Sequence, residues 1–140
     1  MKSENAIYTG FEFEMEGFPA LAIINSGLKN FEDKASYTHS VFIEIIPDTF
    51  NEFGHPLEEE YDYLNKIEKE IISYLEEQTQ SVHVGHTTLF RKREIIFYTK
   101  EPEKVEAFLD HFLSSVEREN AFEIDADKEW ENVSAFYELL

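Results

Sequence analysis

The chain has 140 residues, with 30 Asp or Glu against 12 Lys or Arg, a net charge of −18 at pH 7 and no cysteine. That length fits one domain around a single core, and 42% hydrophobic residues with 13 Phe and 7 Tyr exclude a disordered chain. The charge repels phosphates and anionic lipid, which argues against direct nucleic-acid or membrane binding; the missing cysteines remove disulfides, thiolate nucleophiles and thiolate-bound zinc.

The opening MKSENAIYTGFEFEMEG has no apolar signal-like core, and no later run approaches membrane-spanning length, so a cytoplasmic protein is expected. Ile7, Thr9, Phe11, Phe13 and Met15 alternate with polar residues, the period of a half-buried strand. Gly17-Phe18-Pro19 is a turn signal, and Ala20–Ile24 completes a hairpin. Asn25–Lys34 reads as loop, and Tyr37–Ile46 as a strand stopped by Pro47. Leu57, Tyr61, Leu64, Ile67, Ile71 and Leu75 then recur at helical spacing, with Glu58, Glu59, Asp62, Glu70 and Glu77 mostly outside the stripe.

Strands are expected at Val82–Phe90 and Arg93–Thr99. Pro102 opens a second helix striped by Val105, Phe108, Leu109, Phe112 and Val116, and Asn120–Asp127 is a final strand. Trp130, Val133, Phe136, Tyr137 and Leu140 mark a short docked helix. The β-α-β-β-α-β order over 37–127 predicts an α+β, ferredoxin-like sandwich, with an N-terminal hairpin and loop over 1–36 and a C-terminal helix over 128–140.

The stretch SVHVGHTTLFRKREIIFY carries the most chemistry. In a regular strand, the odd separation of His83 and His86 sends them to opposite faces, so they should not share an ion; His86 falls on the helix-covered face. With Arg91-Lys92 as a two-residue turn, Phe90 pairs with Arg93, His86 lies opposite Phe97, and Tyr98 lies across Gly85; a four-residue loop of the same parity is the alternative. Phe42, Ile46, Ile96 and Tyr98 make the sheet face away from the helices apolar. That face calls for a cover: the hairpin, the Trp130 segment, a second copy or a partner.

Gly54-His55-Pro56 leading into Glu60, Leu64, Ile67 and Glu68 forms the first part of a recognisable pattern. It continues with Val84-Gly85 and Thr87-Thr88, Arg93-Glu94 with Phe97-Tyr98, and Asp127, Trp130, Tyr137 and Leu140. In their order and spacing these resemble the uncharacterised bacterial family catalogued as domain of unknown function 695. The chain departs from that pattern at Arg91-Lys92, where a glycine is usual. The resemblance implies a ferredoxin-like α+β domain and brings no catalytic residues. Such domains are also distantly similar to acidic regulators that bind and inhibit a ribonuclease.

A P-loop, G-x-S-x-G, H-E-x-x-H and a Gly-rich dinucleotide turn are all missing, and no catalytic, cofactor or metal residue is assigned. The expectation is a protein-binding regulator or immunity-like module acting on a basic protein surface. A small-molecule-sensing domain is the alternative, followed by a carboxylate–histidine hydrolase built from Glu94 or Asp127 with Arg93 and Tyr98. The candidate binding surface comprises His83, Gly85, Arg91, Arg93, Glu94, Tyr98, Asp127 and Trp130. A homodimer through the sheet face is compatible with each reading.

Overall fold

Alternation in the first strands, helical spacing in the middle and turn residues between them give an α+β fold. The computed structural model describes residues 2–140. Its strands are β1 (Tyr8–Met15), β2 (Phe18–Asn25), β3 (His39–Ile45), β4 (Ser81–Leu89), β5 (Lys92–Thr99) and β6 (Asn120–Ala126). Its helices are α1 (Glu58–Gln78), α2 (Pro102–Leu113) and a short α3 (Ser134–Glu138) preceded by a 3-10 turn at Glu131–Val133.

All six strands join one sheet in the order β1-β2-β4-β5-β3-β6, and every neighbouring pair is antiparallel. The N-terminal hairpin does not lie over a four-stranded sheet. It extends the sheet, because β2 pairs with β4 from Leu21↔Thr88 to Ile24↔Gly85. Two cores result. On one face Val41, Ile43, Ile45, Ile95 and Phe97 meet the stripes of α1 and α2, including Leu64, Ile71, Leu75, Val105 and Leu109. On the other, Ala22, Ile24, Val82, Val84, Ile96 and Tyr98 pack under Leu28, Tyr37, Trp130, Val133 and Tyr137. The second apolar face is therefore covered by the chain itself, through the loop after β2 and the C-terminal segment.

The β4–β5 turn is Phe90-Arg91 rather than Arg91-Lys92, with Leu89 opposite Lys92 and Thr88 opposite Arg93. Arg91 takes a left-handed φ of 59°. Three neighbours fix that geometry. The Arg91 N–H donates to the Gly54 carbonyl at 2.8 Å, its guanidinium lies 4.4 Å over the Phe50 ring, and Phe90 stacks on Phe18 at 4.2 Å. The shifted register places Tyr98 opposite Val82 and His86 opposite Ile95, so Tyr98 does not cover Gly85.

A buried glutamate between two histidines

The ladder of β4 with β5 breaks once. His83 pairs with Phe97 but Gly85 pairs with Ile96, leaving Val84 as an extra residue in a β-bulge. Gly85 has φ +148°, and a Cβ there would lie 1.9 Å from the Ile23 carbonyl oxygen of β2, so the bulge needs glycine at this position. One inserted residue reverses the parity argument. His83 and His86 point to the same face, toward α1, and the expectation of opposite faces fails for that reason.

What they meet there is Glu68, one turn after Leu64 on the inward side of α1 and 5% exposed. His83 Nε2 lies 2.8 Å from Glu68 Oε2, and His86 Nδ1 lies 2.8 Å from Oε1 and 3.0 Å from Oε2. Arg93 Nη1 donates to Oε1 at 3.2 Å and to Asn65 Oδ1 at 2.8 Å. Burial pushes the Glu68 carboxyl up, but the hydrogen bonds from His83 and His86 outweigh it and hold the group well below the usual carboxylate range. An ionised carboxylate only accepts, so each imidazole must present an N–H to it.

For neutral rings that requirement sets both tautomers. His83 donates from Nε2, and its Nδ1 accepts from the Tyr8 hydroxyl at 2.7 Å. Burial, reinforced by Glu76 and Glu68, raises the Tyr8 phenol above its ordinary value and keeps it a donor. His86 donates from Nδ1, and its Nε2 makes no hydrogen bond among the described residues. Glu68 and Arg93 form a buried ion pair at 3.2 Å. Arg93 is 1% exposed, its Nε and Nη2 make no hydrogen bond among the described residues, and its guanidinium lies 5.1 Å from the centre of the Tyr61 ring.

The cluster floors a pocket of about 470 Å³. Its α1 wall is Asn65, Glu68, Lys69, Ile72 and Ser73, with Ile23 of β2 opposite. Ser3, Glu4 and Tyr8 supply the N-terminal side, where Ser3 is tied to α1 by its N–H to Glu76 Oε2 at 2.9 Å and its hydroxyl to Oε1 at 2.5 Å. Chemically, the arrangement presents one oriented, unpartnered imidazole nitrogen inside a largely apolar recess. Among the described residues, no group of three or more His, Asp or Glu side chains is arranged to hold a metal ion.

The eight residues singled out in the sequence fall in four places. His83, Gly85 and Arg93 belong to this cluster. Arg91 holds the hairpin tip. Glu94 is half-buried across from Glu44 on the other face of the sheet, where Lys92 also pairs with Glu44 at 3.1 Å. Tyr98, Asp127 and Trp130 build a clasp in the second core. Tyr98 stacks on Trp130 at 3.9 Å and donates to Asp127 Oδ2 at 2.5 Å, while Trp130 Nε1 donates to the carbonyls of Lys34 and Tyr37. Asp127 also accepts the N–H groups of Glu131 and Asn132, so the clasp pins the C-terminal segment. Tyr98 and Trp130 are 0% and 2% exposed, which makes them core residues of the folded chain.

Glu68, Tyr8, Asn65 and His86 were not among those eight. The readable signal for Glu68 was an acid embedded between Leu64, Ile67 and Ile71; for the bulge, it was a glycine inside a strand pattern.

A family model described as "Family of unknown function (DUF695)" matches residues 9–137. The chain belongs to this family. The match spans α1, the bulged β4 and β5, so Glu68, His83, Gly85, His86 and Arg93 all lie within the DUF695 domain. No curated protein and no solved structure matches the chain. None of the described helices is long and apolar enough to cross a membrane.

Proposed function

We propose that this DUF695 domain binds a small molecule in the Glu68 pocket, with His86 Nε2 as the polar contact. The carrying observation is that Glu68 fixes both imidazoles yet leaves His86 Nε2 without a partner among the described residues, in a recess of about 470 Å³. That volume falls within the range of ligand pockets, and a few placed polar groups among apolar walls are their usual composition. The same nitrogen is suited to take a proton from a bound hydroxyl or amine, which keeps acid–base chemistry open to this site.

The test is a fragment screen read by 15N-histidine NMR. Binders should shift His86 and spare His111, which is exposed on α2. Hits that persist equally in His86→Gln, or a screen in which no fragment moves His86, would overturn the reading.

A protein-binding regulator acting on a basic surface is a second reading, supported by the net charge of −18. Salt-insensitive capture of its partner would count against it. We also read β3–β6 with α1 and α2 as a ferredoxin-like unit to which β1–β2 has been added. The order β4-β5-β3-β6 with antiparallel neighbours supports that.

A further inference from the structure

Resting on the pocket reading, we infer that the ligand is a small zwitterion, a free α-amino acid with an apolar side chain. The inference comes from the valences the fold leaves open and from their signs. Asn65, Lys69 and Ser73 follow one another at i, i+4 and i+8 along α1, so they line one wall. Asn65 Oδ1 is taken by Arg93, which turns the amide so that Nδ2 is its free end, and Nδ2 is a donor. Lys69, exposed at the same wall, makes no ion pair among the described residues. Together they form a locus for a carboxylate.

The opposite requirement comes from His86 and Glu4. In the neutral ring that donates its Nδ1–H to Glu68, His86 Nε2 is an acceptor, suited to an ammonium. Glu4 is exposed at the N-terminal side of the pocket and likewise has no ion-pair partner among the described residues. Ile23 and Ile72 supply apolar wall for a side chain. Each simpler ligand class leaves one locus unanswered. A plain anion must enter a chain of net charge −18 and leaves His86 and Glu4 unmatched. A plain cation is favoured by the overall charge but leaves Asn65 and Lys69 unmatched. A zwitterion meets both, and its zero net charge avoids the overall repulsion.

Three probes separate these classes by NMR titration of the intact protein: leucine, 4-methylpentanoate, which lacks the ammonium, and 3-methylbutylamine, which lacks the carboxylate. Leucine should bind, and each analogue should bind at least about tenfold more weakly, because each loses one charge-assisted contact. Lys69→Ala should weaken leucine and spare the amine; Glu4→Gln should weaken leucine and spare the carboxylate. Both substitutions are at exposed positions, so folding is not at issue. Either analogue binding as tightly as leucine would overturn the ligand class. So would a failure of every standard amino acid at millimolar concentration while uncharged fragments still shift His86. That last result would leave the pocket reading standing and remove only the zwitterion.

Discussion

Gly85→Ala should dismantle the site without touching any of its hydrogen-bonding side chains. The alanine Cβ would sit 1.9 Å from the Ile23 carbonyl oxygen and 2.9 Å from its carbon, where ordinary contact begins at 3.4 Å. Backbone cannot rotate aside as a side-chain tip can, so either β2 retreats from β4 or the bulge is lost. The φ of +148° adds strain of about 1–3 kcal/mol for a residue other than glycine. With weakened β2–β4 pairing included, a total of about 3–5 kcal/mol is expected, roughly a 10 °C fall in Tm for a domain of this size. Losing the bulge would return His83 and His86 to opposite faces, so their 15N signals should no longer report paired donors to one carboxylate. Gly10→Ala is the control, since its Cβ meets the flexible Ile23 Cδ1 at 3.0 Å and the Ala22 carbonyl oxygen at an ordinary 3.8 Å. A Gly85→Ala protein melting within about 3 °C of the parent, with unchanged histidine signals, would refute the account of the bulge.

Two further outcomes follow from buried charge. Glu68 is held below its unfolded value, so its contribution is complete above about pH 5 and lost as pH falls below that. Glu68→Gln should flatten the acid limb of a Tm-against-pH curve and cost about 3–5 kcal/mol at neutral pH by leaving Arg93 buried and unpaired; an unchanged acid slope would contradict this. Glu94 behaves oppositely. Burial raises its carboxyl, Lys92 partly offsets that and Glu44 adds to it, so its folded form loses stability as pH rises through the carboxylate range. Glu94→Gln should raise Tm slightly at pH 7, by less than about 1 kcal/mol in stability, and leave it unchanged at pH 4; a fall at pH 7 would show that the charge is used.

The elements were legible because their periods are repetitive. Seven or eight residues of alternation, or five turns of a helical stripe, survive a local irregularity. The site was not legible for the complementary reason. A single extra residue at Val84 inverts the face of everything before it, and no count of apolar positions registers one residue. Arg91-Lys92-Arg93 reads in sequence as one basic patch, yet the strand sends its members to unrelated tasks. Arg91 secures the tip, Lys92 pairs with Glu44 on one face, and Arg93 lies buried on the other beside Glu68. The Tyr98 and Trp130 pair was visible as an apolar face needing cover, but which segment supplied it depended on contacts distant in sequence.

Those distant contacts carry a kinetic consequence. Trp130 Nε1 reaches the Lys34 carbonyl across 96 residues, and the Tyr137 hydroxyl reaches the Asn25 carbonyl across 112. In folding, Ile96 and Tyr98 have only the Leu28 and Tyr37 part of their cover until Trp130, Val133 and Tyr137 dock. Closure of the second face is therefore a long-range step that should be slow. Until it occurs, the folding domain displays part of an apolar sheet surface to its surroundings, the kind of surface that makes a partly folded chain prone to aggregate.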